Sequence, residues 1–358
     1  MSKKLVLIDG HSILNRAFYG VPDLTNSEGI HTNAVYGFLN IMLKILNEEQ
    51  PEYLIVAFDV KHPTFRHEMF AEYKGTRSKM QPELVQQVPI IKDVLKAMDI
   101  HIVEQAGVEA DDILGSYATK AQEEGIDVCL VSGDRDTLQI ASDRIQIRIP
   151  KTKKTGTIVE NYYAQDVLET YGVTPIEFID VKALMGDASD NIPGVPGIGE
   201  KTATAIIQSF GSIENAYEHI EEIKPNRARE SLKENYQQAV LSKDLATIRT
   251  NLELDYDWSH ALLEQIYTKQ AYELFKKYEF KNLLNKFEEV KEEQAPAYQS
   301  VDLANVERAI EECSQSSLIG ISVEKIQPSK TEYHIQFQFA SEEVGYLYEA
   351  DDNEIERS

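Results

Sequence analysis

Apolar and polar positions follow two rhythms along the chain, and the change comes near residue 175. Before it, short apolar runs (Leu5 to Ile8, Tyr53 to Phe58, Ile100 to Val103, Val128 to Val131) alternate with stretches whose apolar residues recur at helical spacing (Asn33 to Leu46, Pro82 to Ala97, Asp111 to Ala121). Runs this short, unbroken by polar residues, read as strands buried on both faces, and their alternation with helices predicts a parallel α/β sheet. Ile145 to Ile149 and Thr157 to Val159, around a Lys-rich turn through Gly156, predict an edge hairpin.

Beyond residue 175 the strand signal fades and helical spacing runs to about 287, with starts at Thr174-Pro175 and Glu200 and breaks at Pro193, Pro196 and Pro225. Glu288 to Ser300 is charged, polar and proline-containing, the composition of a linker. Strand character returns at Leu318 to Val323 and Tyr333 to Phe339 before the chain ends. The expected organisation is therefore an α/β core over 1–174, a helical subdomain over 175–287, a linker over 288–300 and an incomplete α/β tail over 301–358.

Composition narrows this picture. A length of 358 residues suits two or three domains, and Cys129 and Cys313, the only cysteines, give no disulfide framework. Lys3 and Lys4 precede only four apolar residues, too few for a signal peptide, and no run approaches a membrane span. The expectation is a cytoplasmic monomer without a membrane partner. A net charge of −24 argues at first against nucleic acid. Residues 288–358 alone hold 17 Asp/Glu against 5 Lys/Arg, however, and much of the remaining excess falls in a few clusters.

Those clusters sit where strands end. Asp9 follows LVLI, Asp59 follows LIVAF, and Asp134 and Asp136 follow VCLVSG. Glu109, Asp111 and Asp112 (VEADD) open a helix just after another strand, and Asp187 and Asp190 (GDASDN) occupy a later loop. In a parallel sheet the carboxyl ends share one edge, where ligands bind, so these nine acids are expected to converge. Anions so close repel one another unless cations intervene. An oxygen-only donor set suits two Mg²⁺ or Mn²⁺ ions, which would clamp the attacking and leaving oxygens of a phosphodiester. Any single Asp is more often a helix cap or turn residue; the nine together point to metal.

Two further segments bear on phosphate. GVPGIGEKTA (194–203) is not a P-loop, because Glu200 separates Gly199 from Lys201 and no strand leads in. Gly194, Gly197 and Gly199, with Lys201 and Thr202 opening a helix, fit a helix-hairpin-helix whose amides hold a DNA backbone phosphate; an ordinary interhelical turn is the alternative. Residues 61–79 carry Lys61, Arg66, Lys74, Arg77 and Lys79 among Phe65, Phe70 and Tyr73. That mixture suits a single strand with stacked bases, or else a solvated amphipathic helix.

Taken in order, LIDGHSILNRAFY (7–19), AFDVKHPTFRHEMFAEYKGTR (57–77), GVEADDILG (107–115), SGDRDTLQ (132–139) and LMGDASDNIPGVPGIGEKTA (184–203) resemble the 5′ nuclease domains of bacterial DNA polymerase I, within the flap endonuclease family, over about residues 1–290. The resemblance implies a nucleoid-associated protein of bacterial type, with a PIN-like core and a helical arch over about 61–88. It also implies metal-dependent 5′–3′ exonuclease and flap endonuclease cleavage of nicked or branched duplex DNA carrying a 5′ single-strand flap, RNA-primed ends included. It places the metal-site acids on the nine carboxylates, phosphate-steering cations on Arg16, Lys74 and Arg77, a gateway tyrosine on Tyr73, and a monovalent cation at the helix-hairpin-helix. The tail resembles the start of a 3′–5′ exonuclease module with Ser322 at an aspartate position, hence vestigial, and the chain ends before that module could finish its sheet.

Two rival functions differ in class or detail. A silent DNA-junction binder would lack some of the acids, and none is missing here; an RNase of the PIN-like group would lack the arch and the glycine loop.

Overall fold

The computed structural model of the protein describes residues 3–153, 156–294, 298–302, 305–314, 320–326, 334–340 and 345–350. In chain order they form β1 (Lys4–Asp9), α1 (Gly10–Gly20), α2 (Asn33–Glu49), β2 (Tyr53–Ala57), α3 (Phe65–Met69), α4 (Pro82–Val85), α5 (Gln87–Ala97), β3 (His101–Val103), α6 (Ala110–Glu123) and β4 (Asp127–Val131). After a 3₁₀ turn, Arg135–Ile140, come β5 (Ile145–Lys153), β6 (Gly156–Tyr162), α7 (Ala164–Tyr171), α8 (Pro175–Met185), α9 (Glu200–Phe210), α10 (Ile213–Glu218), α11 (Asn226–Glu234), α12 (Tyr236–Ala246) and α13 (Lys269–Lys277). The last elements are α14 (Lys281–Gln294), β7 (Tyr298–Val301), α15 (Val306–Ser314), β8 (Gly320–Ile326), β9 (His334–Ala340) and β10 (Gly345–Ala350). Two compact units result, Met1–Phe280 and Lys281–Ser358.

In the first unit six strands lie in the order β3-β2-β1-β4-β5-β6, parallel except for the β5/β6 hairpin. The apolar runs dictate this. Leu5, Val6, Leu7 and Ile8 are each at most 1% exposed, as a strand covered on both faces requires. Leu5 and Leu7 pack with Ile113, Leu114 and Tyr117 of α6, while Val6 and Ile8 alternate to the other face. From β1 the chain builds outward through β2 and β3, then returns to place β4 on the opposite side of β1. The crevice at the carboxyl ends of β1 and β4 is thus the topological switch point of the sheet.

Helices follow, as the sequence predicts. Thr174 caps α8 through a reciprocal pair with Glu177: the Thr174 N–H donates to Glu177 Oε2 (2.8 Å) and the Glu177 N–H to Thr174 Oγ1 (3.3 Å), with Pro175 at the first helical position. The glycine loop then turns tightly into α9. Gly194 has φ +61° and a Cβ there would lie 2.4 Å from the Gly186 nitrogen; Gly197 has φ +78°.

Three expectations change. Pro82 to Ala97 is two helices, α4 and α5, because Pro89 has no N–H to offer the Val85 carbonyl. The supposed linker from Glu288 lies mostly within α14, whose Glu, Lys and Gln residues are strong helix formers; residues 295–297 lie outside the described set. The tail forms a four-stranded sheet, β7-β10-β9-β8, in place of two or three strands, and α15 packs Ala309 and Cys313 with Tyr346 and Tyr348. Lys154, Leu318 and Tyr333 lie outside the described residues, and among those described no helix is long and apolar enough to cross a membrane.

Candidate active site

At the switch point β1 ends in Asp9, which caps α1: its Oδ1 accepts the Ser12 N–H (2.9 Å) and its Oδ2 the Ser132 hydroxyl (2.9 Å). Ser132 follows β4 and its Oγ accepts the Asp134 N–H (3.1 Å), while Asp134 Oδ1 accepts the Asp136 N–H (2.9 Å) and caps the 3₁₀ turn. The local role expected of a lone Asp, a helix cap, is therefore filled by acids that also sit on the sheet edge. Burial, with Asp59 and Asp134 nearby, pushes the Asp9 carboxyl up to about 7.

Asp59 and the start of α6 close this group. Asp59 Oδ1 accepts the Ala110 N–H (2.8 Å), and the Asp59 N–H donates to His11 Nδ1 (3.2 Å). Asp111 is driven well above the carboxylate range by burial, then by Asp9 and Asp134, and its Oδ1 is buried without a hydrogen-bond partner. Asp9, Asp59, Glu109, Asp111 and Asp134 together line an open cavity of about 900 Å³, whose other walls include His11, Asn15, Arg16, Tyr19, Lys61, Lys74, Arg77 and Met80.

Asp112, Asp136, Asp187 and Asp190 do not line it, which alters the expectation that all nine acids share one open site. Asp112 is fully buried and pairs bidentately with Arg66 (2.7 and 2.9 Å). Asp190 pairs with Arg77, whose Nε donates to Oδ1 at 3.1 Å, and lies 3.8 Å from Lys74. Lys74 Nζ donates to Glu109 Oε1 (2.7 Å). Asp136 and Asp187 share Lys182 of α8, which stands 2.7 Å from Asp136. Burial, then the charge of Asp134, raises Asp136 to about 7; against the burial that would raise it, Lys182 and Ser189 hold Asp187 at about 2. Among the described residues no three His, Cys, Asp or Glu side chains are already gathered as a metal-holding cluster.

The basic segment also differs from expectation. Residues 61–88 hold the five-residue α3, a run of turns, the short α4 and the first residues of α5. Its aromatics are not displayed for stacking. Tyr73 is buried with Ile192, Leu245 and Ala246, Phe70 packs on the same cluster, and the Tyr73 hydroxyl lies within reach of Glu109 (3.2 Å) and Asp190 (3.1 Å). Phe65 lies under Arg66 and Arg249. Apolar rings in a basic stretch serve as readily to seat it on the body as to meet bases.

The sequence reading missed Lys182 and the anchoring role of Arg66. Lys182 falls on the helical run after the acids, and only its position five residues before Asp187 hinted at a pair. In the glycine loop, Gly199 caps α9, Lys201 is exposed, and Arg227 comes within 3.5 Å of where a Gly197 Cβ would stand.

Comparison with known proteins places this geometry. Residues 4–172 match the model of the 5′–3′ exonuclease N-terminal resolvase-like domain, and residues 173–269 that of the 5′–3′ exonuclease C-terminal SAM fold. DNA polymerase I of Bacillus caldotenax is 44% identical over 312 residues, 87% of this chain and 35% of that protein. DNA polymerase I of Bacillus subtilis (strain 168) is 40% identical over 354 residues, 98% of this chain and 40% of that protein. The chain thus spans well under half the length of these relatives. Among solved structures, T5 5′-exonuclease with divalent metal ions (zinc) bound superposes with a TM-score of 0.58 at 22% identity, covering 80% of this chain and 97% of the other. The catalytic core of Rad2 in complex with a DNA substrate gives 0.51 at 17% identity, covering 77% and 88%.

Proposed function

The chain belongs to the 5′–3′ exonuclease family, and from that premise we propose that it is a structure-specific 5′ nuclease, hydrolysing phosphodiesters at 5′ flaps and nicks in duplex DNA and at RNA-primed ends. The observation that carries this reading is the cavity at the switch point, with carboxylates Asp9, Asp59, Asp111 and Asp134 on its floor, Glu109 paired with Lys74 at its rim, and Arg16, Lys74 and Arg77 on its walls. A floor of one sign facing walls of the other suits a substrate that is itself anionic and reacts through cations.

The donor set fits hard divalent ions. It is all oxygen, Asp111 Oδ1 is buried without a partner, and burial pushes both Asp9 and Asp111 toward protonation, helped by the charges of Asp59 and Asp134 at Asp9 and of Asp9 and Asp134 at Asp111. Two Mg²⁺ or Mn²⁺ ions held by Asp9, Asp59, Glu109, Asp111 and Asp134, with Asp136 and Asp187 nearby, would supply the electrophilic activation of phosphate and water. The protein's own contribution is positioning. The Ser132 hydroxyl and the Ser12 and Ala110 amides fix the floor carboxylates before substrate arrives. Lys74 and Arg77, drawn to the cavity by Glu109 and Asp190, aim donors at the charge that develops on the cleaved phosphate. Gly194, Gly197, Gly199, Lys201 and Thr202 would hold a duplex phosphate away from the chemistry, with a monovalent cation at that loop.

A 5′-labelled flap duplex incubated with Mg²⁺ or EDTA, beside a blunt duplex and a free single strand, tests the proposal. Mg²⁺-dependent cutting near the flap junction, with little on the other two, is expected. Tight flap binding without cutting even in Mg²⁺ would mean a silent junction binder.

A further inference from the structure

We infer that Arg66 and Asp112 are a positioning pair for the nuclease reaction: a buried clamp that sets the acid-bearing start of α6 against the basic segment. The inference rests on the nuclease reading above. Arg66 is 2% exposed and Asp112 fully buried. Arg66 Nη1 donates to Asp112 Oδ2 (2.7 Å), Nη2 to Oδ1 (2.9 Å) and to the Thr247 carbonyl (2.8 Å), and Nε to the Leu245 carbonyl (2.9 Å). Asp112 Oδ2 also accepts the Glu109 N–H (3.0 Å) and Oδ1 the Arg249 N–H (2.9 Å). Each carboxylate oxygen thus takes two donors, which fills its acceptor capacity and leaves nothing to offer a cation.

The clamp joins three segments: α3 with the cations that follow it, the α6 start with Glu109 and Asp111, and the end of α12 with the residues that follow it. Gln139 also holds that stretch, donating to the Ala246 carbonyl (3.0 Å) and accepting the Ile248 N–H (2.8 Å). Its most direct lever is Glu109, whose amide is bound by Asp112 and whose Oε2 lies 3.5 Å from Arg66 Nη1. Glu109 in turn holds Lys74. A guanidinium is needed because a lysine ammonium cannot make the parallel pair and also reach two carbonyls. Loosening the clamp would shift Glu109 and Lys74 together, and a displacement of about 1 Å at reacting groups costs on the order of a hundredfold.

The test uses the full chain and compares Arg66→Lys, Asp112→Asn and the double variant Arg66→Met/Asp112→Asn. Four quantities are read below each variant's melting point: the single-turnover rate on the flap duplex at saturating Mg²⁺, flap Kd by fluorescence anisotropy, the Mg²⁺ concentration for half-maximal rate, and Tm. The rate should fall roughly 30- to 100-fold in each single variant and no further in the double, with Kd and Mg²⁺ half-saturation within about twofold of wild type. If Arg66→Lys fails to fold, the double variant, which strands no buried charge, carries the measurement. A raised Mg²⁺ half-saturation in Asp112→Asn alone would return Asp112 to cation binding and overturn the inference; so would a lowered Tm with an unchanged rate. A wild-type chain that cuts no flap overturns the nuclease reading instead.

Discussion

The acids of this protein fall into two regions that the chain treats differently. On the cavity floor, Asp9, Asp59 and Asp134 are held by backbone amides or a serine hydroxyl, and Asp111 keeps a buried oxygen without a partner. Around the rim, Glu109, Asp112, Asp136, Asp187 and Asp190 each pair with an arginine or lysine of the chain. Internal cations neutralise the rim during folding. The floor has no such partner, so its repulsion and desolvation persist, and the raised Asp9 and Asp111 carboxyls register that cost. In the nuclease reading, rim acids hold the machinery in place while floor acids are kept for charge brought from outside.

The largest expected effect separates the two regions directly. Asp134→Asn should lower cleavage of a flap by roughly a thousandfold or more while flap binding survives. It should also leave Tm unchanged or raise it, because Asp134 adds to the repulsion felt by Asp9 and Asp111. Asp112→Asn should lower Tm, since it breaks a buried pair. Thermal melts of both variants without divalent ion check the contrast; the same sign of shift in both would erase the distinction between floor and rim.

Lys74→Ala and Arg77→Ala come next. Each removes a rim cation that also faces the cavity, and a donor aimed at developing charge is worth on the order of 3 kcal/mol. The saturating rate should fall by about a hundredfold with duplex affinity little changed. Single-turnover kinetics over a range of enzyme concentrations decides it: a pure affinity loss would make these residues docking contacts.

The effect of Lys182→Met should be smaller and fall on stability. The change strands Asp136 and Asp187 beside Asp134, at a cost on the order of 2 kcal/mol, below that of a fully buried pair because Asp187 is partly exposed. Added Mg²⁺ should raise the variant's Tm by more than the wild type's, since an external cation then replaces the missing internal one; equal Tm gains in scanning calorimetry would show that Asp136 and Asp187 stay remote from bound cations.

How much of this was legible in the sequence divides along the same line. The apolar runs ending in Asp9, Asp59 and Asp134 fixed both strand and edge, because a parallel sheet leaves a strand-end residue only one place to go. The rim was illegible because its pairs join distant segments: Arg66 meets Asp112 across 46 positions and Arg77 meets Asp190 across 113. Periodicity reports which face of its own element a residue occupies and is silent on its partner. Tyr73 shows the same limit, since an aromatic in a basic stretch reads alike whether it greets a base or fills a small core. From Glu288 the charged, proline-containing composition predicts a linker, yet its Glu, Lys and Gln residues also favour helix, and α14 runs on to Gln294.

The smallest expected effect concerns the second unit. Every residue placed on floor or rim lies between Asp9 and Asp190, inside the unit that ends at Phe280. The second unit holds its own small core of Ala309, Cys313, Tyr346 and Tyr348, and none of its described residues lines the cavity. It includes all of residues 288–358, with 17 acids against 5 bases, a charge that repels a DNA backbone over a Debye length of about 8 Å at physiological salt. Ile321 and Val323 of β8 are 74% and 57% exposed, an apolar strand surface that invites association. A chain ending at Phe280 should therefore keep its saturating cleavage rate within about twofold, bind flap duplex slightly more tightly at low salt and no differently at high salt, and associate less in solution. Rate, anisotropy at two salt concentrations and light scattering measure the three separately. A large loss of rate with binding intact would mean that the second unit helps to position the floor, and the division between the acids that act and the chain that carries them would have to be redrawn past Phe280.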